Sequence, residues 1–105
     1  MAKFKLGKLV ATASISERME QDRMFAAFVS KSIRRYQECD WGDTCTEDKV
    51  SNDYAVENGE RILAEYHQKG YFVKQKNRND EDPIRIWIIT EWDRSSTTVL
   101  FPEEY

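Results

Sequence analysis

The chain has 105 residues, of which 40% are hydrophobic, 33% are charged and 12% are aromatic. A chain of this length supports one modest hydrophobic core, so we expect a single domain over residues 1–105. The aromatic content argues against disorder. No apolar run is long enough to cross a bilayer and no signal-peptide pattern stands at the start, which predicts a cytoplasmic protein with no membrane partner.

Charge is distributed unevenly along the chain. The net charge is −3, which does not favour direct nucleic-acid binding. Residues 1–37 carry eight Lys or Arg against three Asp or Glu, whereas residues 38–60 carry one Lys against eight acids. The two segments therefore have fields of opposite sign, either of which can steer a charged partner. Both patterns are also typical of solvated helix faces.

The first third predicts a strand followed by a helix. Residues 8–12 are short and apolar and predict a strand, and residues 13–22 predict a loop that contains a helix start. Both Ser14, through its capping-box spacing to Glu17, and Asp22 are possible N-caps. Apolar side chains at helical spacing then predict a first amphipathic helix up to Tyr36.

The middle of the chain predicts a turn-rich loop and a second helix. Residues 38–45 contain Gly42, which allows a positive φ, and Trp41, which can anchor the loop on the core. Thr44 and Glu47 have capping-box spacing. The second helix is predicted to run to about Gln68, with its apolar stripe supplied by Val50, Tyr54, Ala55, Ile62, Leu63 and Tyr66. Gly59 then lies inside the helix, for close approach to a strand, and Gly70 ends it.

The last third predicts β-structure. We expect strands at 71–76, 84–91 and 97–101, separated by a turn at 77–83 and another at 92–96. The predicted order is β-α-α-β-β-β, and short connections favour an α+β fold with an antiparallel sheet of about four strands and two helices on one face. Because both faces of strand 84–91 are apolar, Ile86, Trp87 and Ile88 are expected to be largely buried.

Few residues suggest catalysis or metal binding. The chain has no nucleophile-elbow, Walker A or dinucleotide-binding motif, so we expect a protein that is not an enzyme and binds no cofactor. Cys39 and Cys45 are predicted to be free thiols. A zinc site formed by these two residues and His67 is the alternative, although the gap between the cysteines is longer than zinc sites usually have.

Two charged surfaces could bind a partner. The basic one holds Lys31, Arg34 and Arg35, together with Lys3, Lys5 and Lys8 from the amino-terminal segment. The acidic one could occupy a basic groove of another protein by mimicking phosphates. Its members are Glu38, Asp40, Asp43, Glu47, Asp48, Asp53, Glu57 and Glu60, of which Asp53, Glu57 and Glu60 are predicted to face solvent and a partner.

A second group of residues is expected to support the fold. Asp40, Trp41 and Asp43 lie in the loop, and Trp87 lies in the strongest predicted strand. Arg94 follows in the polar turn, where it could pair with Glu91 or Asp93, or reach back to Asp40 or Asp43. The same turn residues could instead serve only the backbone of a hairpin.

Several segments resemble a family of proteins of roughly a hundred residues from phages, plasmids and integrative elements of gut bacteria, usually labelled plasmid-related. The similar segments are WIITEWDRSSTTVLFPEEY at residues 87–105, KLVAT at 8–12, DWGD at 40–43 and GERIL at 59–63. Residues 68–83 look longer than this family's pattern, so contacts there are not carried over.

Members or near relatives of the family resemble type II anti-CRISPR proteins, which inhibit Cas9. The resemblance implies a stoichiometric inhibitor that binds Cas9 or its guide-RNA complex in the cytoplasm of a bacterial host. Three alternatives remain open: a metal-binding domain, a phage accessory protein with another host target, and a small DNA-binding regulator.

Overall fold

The computed structural model describes residues 2–69 and 83–105. Its elements are β1 (Lys8–Ala11), α1 (Ala13–Gln21), α2 (Arg23–Gln37), α3 (Thr46–Asn58), β2 (Ile62–His67), β3 (Arg85–Thr90), β4 (Ser96–Leu100) and a 3₁₀ turn (Pro102–Glu104). The α+β class is confirmed, but these two stretches contain three helices where two were predicted. None of those helices is long and apolar enough to cross a membrane.

The four strands form one mixed sheet in the order β1-β4-β3-β2. The strand β3 is antiparallel to both β2 and β4, whereas β1 runs parallel to β4, with Lys8 opposite Ser96. The purely antiparallel sheet was therefore a wrong prediction. The reason is that the helices carry the chain across the sheet to β2 at the far edge, so that β3 and β4 return toward β1 and β4 arrives in the same direction as β1.

The core lies between one face of the sheet and the helices. Alternate residues of each strand point to this face, and α1 packs on β4 while α2 packs on β3. The fully or almost fully buried members of this layer are Ile15, Phe25, Phe28, Val29, Tyr36, Ile62, Ala64, Tyr66, Ile86, Ile88 and Val99.

A row of buried hydroxyls crosses this core. The Tyr36 hydroxyl lies 2.7 Å from Thr90 Oγ1, which lies 2.7 Å from Thr97 Oγ1. Thr97 in turn donates to the carbonyl of Leu6 at 2.7 Å. Because each buried hydroxyl has a partner, none carries the cost of an unsatisfied polar group. The same row fastens the segment before β1 to the centre of the sheet.

The first two helices show how local signals set helix starts. The predicted N-cap of α2 is confirmed, because Asp22 Oδ1 accepts hydrogen bonds from the backbone N–H groups of Met24 and Phe25. The segment before it is α1 and not mainly a loop. Its N-cap is Thr12, whose hydroxyl accepts from the Ile15 N–H at 3.3 Å, so neither Ser14 nor Asp22 starts this helix.

The second predicted helix was wrong beyond Asn58. Gly59 has φ +65° and caps the carboxyl end of α3, a conformation for which glycine has no steric penalty. A Cβ at this position would meet no atom within 4 Å, so close approach to a strand is not the reason for this glycine. Residues Ile62, Ala64 and Tyr66 alternate as buried positions of β2.

The predicted capping box of α3 was also wrong. Its N-cap position is Cys45, without a side-chain cap, and the Thr44 hydroxyl bonds elsewhere. The predicted strand at 71–76, its turn up to residue 82 and the helix end at Gly70 lie outside the described residues.

The carboxyl-terminal hairpin agrees with the sequence in its strands and differs at one side chain. Ile86 and Ile88 are fully buried, as predicted. Trp87 is only half-buried, because its face of the sheet is not the one covered by the helices. Its indole N–H donates to Glu65 Oε1 at 2.9 Å, and its ring packs edge-on against Tyr105.

Side chains close the outer edge of β2. Asn52 of α3 bonds both backbone groups of Leu63: its amide donates to the carbonyl at 2.9 Å, and its Oδ1 accepts from the N–H at 3.3 Å. Thr44 accepts from the Glu65 N–H at 2.8 Å, and Asp43 accepts from the His67 N–H at 2.9 Å. An edge strand exposes such groups unless something covers them, so this side of the sheet is unavailable to another strand.

We predict that Asn52→Ala lowers the free energy of unfolding by about 1–3 kcal/mol, because it leaves the part-buried N–H and C=O of Leu63 without partners. Urea denaturation followed by circular dichroism measures the change.

Asn58→Ala is the matched control on the same helix. The Asn58 side chain is exposed and, within residues 2–69 and 83–105, bonds only the Tyr54 carbonyl, so the same substitution there should change stability by less than about 0.5 kcal/mol. Equal effects of the two substitutions would show that edge closure does not stabilise the fold.

Candidate functional site

The loop between α2 and α3 is fixed at its start by an ion pair. Asp40 accepts two hydrogen bonds from the Arg35 guanidinium, at 2.8 and 3.1 Å, and a third from the Gly42 N–H at 3.2 Å. The bonds from Arg35 are the main reason that the pKa of Asp40 lies below its usual value. Arg35 also lies over the Tyr66 ring, 5.5 Å from its centroid.

Gly42 is required where the loop meets β2. It has φ +62°, and a Cβ on it would lie 2.3 Å from Cδ1 of Tyr66. The Tyr66 hydroxyl donates to the Asp40 carbonyl at 2.7 Å, which holds the aromatic ring against the turn. Only a residue without a side chain permits this approach. Burial raises the pKa of the Tyr66 hydroxyl, which therefore stays a donor.

Two carboxylates continue the attachment along β2. Asp43 accepts from the His67 N–H and pairs with Lys69, and its own N–H donates to the Glu65 carbonyl at 2.9 Å. Burial alone would raise the pKa of Asp43, but Lys69 and the His67 N–H outweigh it and the pKa falls. Burial is likewise outweighed at Glu65, where His67 and Trp87 lower the pKa of the carboxyl.

Trp41 connects the loop to α3. Its ring is buried and contacts Phe4 and Tyr36, while its indole N–H donates to Asp53 Oδ1 at 2.8 Å. Asp53 is exposed as a residue, but its carboxylate is engaged in holding the tryptophan. The structure therefore gives this acid a supporting contact in addition to the surface position predicted for it.

Arg94 holds the carboxyl end of α3. Within residues 2–69 and 83–105, its side chain bonds to backbone carbonyls and to no carboxylate. Its guanidinium donates to the backbone carbonyls of Ala55 at 2.8 Å and Glu60 at 2.7 Å, and more weakly to those of Glu91 and Trp92. Asp40 and Asp43 pair with Arg35 and Lys69 instead. The Ala55 carbonyl also accepts from the backbone N–H groups of Gly59 and Glu60, so Arg94 adds a positive charge at the carboxyl end of α3, where the helix dipole favours a cation.

The outward side of α3 carries two exposed apolar side chains. Val50 is 65% exposed and Tyr54 is 59% exposed; they stand one helical turn apart and so lie side by side. The sequence placed both in a buried stripe, which was wrong for Val50 and Tyr54: α3 buries Ala55, as predicted, together with Asn52. Exposed apolar neighbours on a polar helix are a feature of binding surfaces.

Two acidic side chains flank this pair on α3. Glu47 and Glu57 lie on the same side of α3, at spacings of three residues from Val50 and Tyr54, and both are exposed. Glu60 follows just after the helix and is also exposed. We call Glu47, Val50, Tyr54, Glu57 and Glu60 the α3 surface. Tyrosine is a frequent anchor at the centre of interfaces, and neighbouring carboxylates favour a partner with a basic surface.

The predicted basic surface is smaller than expected. Lys31 and Arg34 are exposed on α2. Arg35 points to the loop and is engaged by Asp40 at 2.8 Å, with 38% of its side chain exposed. Of these three cations, Lys31 and Arg34 therefore take no part in the ion pair of the loop.

The residues of the alternative zinc site are not brought together. In residues 2–69 and 83–105, no group of three or more His, Cys, Asp or Glu side chains is placed to hold a metal ion. Cys39 is partly buried and has a pKa raised by burial, Cys45 is exposed at the start of α3, and both are free thiols. His67 Nε2 lies 2.6 Å from Glu65 Oε2 on β2.

Comparison of the chain with protein-family models, curated proteins and solved structures finds no significant match. The resemblance to mobile-element proteins accordingly stays a prediction.

The attachment of the loop predicts a dependence of stability on pH. A carboxyl with a lowered pKa in the folded state stabilises the fold above its unfolded pKa, and that stabilisation is lost as the pH falls through the folded value. For Asp43 the loss lies below about pH 4. We expect Asp43→Asn to reduce stability at pH 7 and to flatten the decline of the unfolding free energy between pH 6 and pH 2.5.

Urea denaturation at a series of pH values tests this expectation. Glu20→Gln, which neutralises an exposed carboxylate of α1, is the control and should keep the wild-type profile. A profile for Asp43→Asn that runs parallel to that of the wild type would contradict the assigned contribution of Asp43.

Proposed function

We propose that this protein is a stoichiometric inhibitor that binds another protein through the α3 surface. The observation that carries the proposal is the exposed pair Val50 and Tyr54, flanked on α3 by the exposed acids Glu47 and Glu57. The helix that carries the surface is held at two points, by Trp41 bonding Asp53 and by Arg94 bonding the Ala55 carbonyl. A surface held in this way loses little conformational entropy on binding.

The proposed partner is Cas9 or its guide-RNA complex, inside the bacterial host cell. The resemblance of residues 87–105 and of the DWGD segment to proteins of mobile elements supports this choice. The chemistry agrees with it, because Cas9 holds its nucleic acids in a positively charged channel. Carboxylates at Glu47, Glu57 and Glu60 would take the place of phosphates, and Tyr54 would supply the buried anchor.

Binding and not catalysis is the proposed activity. Occupying the channel requires no bond to be made or broken, so an inhibitor of this kind acts at a one-to-one ratio. Of the three alternatives, a DNA-binding regulator would use Lys31 and Arg34 on the exposed side of α2. The engagement of Arg35 by Asp40 weakens that alternative.

We predict that the double substitution Val50→Ala and Tyr54→Ala raises the Kd for the Cas9–guide-RNA complex at least about tenfold, since anchors at the centre of an interface carry much of its affinity. Val10→Ala is the control, because Val10 is 38% exposed and lies on β1, at the opposite edge of the sheet from the β2 strand on which α3 packs. Biolayer interferometry with immobilised complex gives the Kd.

A charge-reversed variant tests the acidic side chains of the α3 surface separately. Glu57→Lys with Glu60→Lys should lower the association rate and reduce its dependence on salt, because rim charges act mainly on association. Asp53 is left out of this variant because its loss would release Trp41. Wild-type affinity in both variants would move the contact to Lys31 and Arg34, and absence of any complex with Cas9 would refute the proposed target.

A further inference from the structure

The free edge of the sheet is β1, at the opposite side from β2. No strand within residues 2–69 and 83–105 pairs with its outer side. The direction of its backbone groups follows from two bonds: Lys8 N–H donates to the Ser95 carbonyl at 3.0 Å, and Thr12 N–H donates to the Val99 carbonyl at 3.1 Å. Because these groups alternate along a strand, those of Leu9 and Ala11 point away from β4.

This edge is accessible and apolar. Leu9 is 49% exposed and Val10 is 38% exposed. The two β-edges of the molecule differ sharply in this respect, since Asn52, Thr44 and Asp43 satisfy the backbone groups of β2. The strand Lys8–Ala11 contains no proline and pairs with β4 without a bulge, so the only protective features of this edge are the shortness of the strand and the charge of Lys8.

The surroundings of β1 are cationic. A shallow cleft of about 680 Å³ lies beside the strand, with apolar walls that include Phe4, Leu6 and Leu9. The charged side chains in its lining are Lys3, Lys5 and Arg94, and the cleft has no acid. Lys8 is exposed on the strand itself. A chain bound here would therefore meet positive charge along its length.

We propose that β1 binds an extended, acidic segment of a partner protein, which adds to the sheet as a fifth strand. Backbone bonds to Leu9 and Ala11 would hold the segment, and its acidic side chains would pair with Lys3, Lys5 and Lys8. A second copy of this chain is a poorer occupant, because pairing β1 with β1 would bring the lysines of the two copies together. This surface is separate from the α3 surface, so the two proposals stand independently.

The probe is a fluorescein-labelled peptide of about seven residues with alternating Glu and Val, long enough for one strand. Fluorescence anisotropy should show saturable binding, and a peptide with Lys in place of Glu should bind at least about tenfold more weakly because its charges repel the lysines. In the free protein, the amide protons of Val10 and Thr12 should exchange slowly and that of Leu9 rapidly. The acidic peptide should slow exchange at Leu9.

Two changes test the backbone contacts. Leu9→Pro removes the outward N–H while leaving the bonds of Lys8 and Thr12 to β4, a position where an edge strand tolerates proline. It should weaken peptide binding about tenfold, the value expected for one lost hydrogen bond. A peptide N-methylated at alternate residues should bind as weakly to the unaltered protein, which keeps the test valid even if Leu9→Pro impairs folding.

A charge control completes the experiment. Lys3, Lys5 and Lys8 changed to Glu should abolish binding, whereas Arg23, Lys31 and Arg34 changed to Glu alter the net charge equally on exposed positions of α2 and should preserve it. The proposal is overturned by the absence of saturable binding, by equal binding of the basic or N-methylated peptide, or by equal loss in both charge variants. Concentration-dependent self-association that Leu9→Pro abolishes would assign the edge to a second copy and also overturn it.

Discussion

The attachment of the α2–α3 loop to the outer edge of β2 is the constraint on which the rest of the structure depends. The loop supplies Asp43 and Thr44 to the backbone of β2, and α3 supplies Asn52. These bonds place α3 beside the sheet. They also close one edge, so that the sheet has a single free strand, β1, among the described residues. The positions of both proposed binding surfaces thus follow from one set of hydrogen bonds.

Contacts within the molecule account for part of the acidity of residues 38–60. Asp40 pairs with Arg35, Asp43 pairs with Lys69, and Asp53 accepts from Trp41. These three carboxylates are engaged within the molecule. The acids that remain on the outward side of α3 have a different position, next to Val50 and Tyr54. An acidic segment of sequence is therefore divided by the fold into supporting carboxylates and surface carboxylates.

Some local interactions in this chain could be predicted from sequence, whereas most interactions between distant residues could not. Asp22 was one of two N-caps considered, and its partners lie only two and three residues away. The strands β3 and β4 were identified from alternation and β-branched residues. The apolar residues Ile62, Leu63 and Tyr66 are compatible with a helix as well as with a strand. The helix α3 ends before them because Gly59 adopts a positive φ, which the sequence alone did not reveal. Length and pattern alone did not resolve that ambiguity.

The candidate site was predicted less well than the fold, for the same reason. The exposure of Val50 and Tyr54 depends on which side of α3 faces β2, and Asn52 decides that through its bonds to Leu63. The bonds of Arg94 to the carbonyls of Ala55 and Glu60 join residues far apart in sequence. A sequence pattern that spans only a few residues gives no information on the contacts of Asn52 or of Arg94.

The pairing of β1 with β4 has a consequence for the order in which the molecule is built. Lys8 lies opposite Ser96, so the two strands are separated by most of the chain. On a ribosome, β1 has no sheet to join until β4 has been synthesised and has left the exit tunnel. Closing so long a loop carries an entropic cost, which the contacts of Lys3 with Gln37 and of Phe4 with Tyr36 reduce by holding the amino-terminal segment on α2. The pairing of β1 with β4 therefore forms only at the end of biosynthesis, on a segment that already has partners.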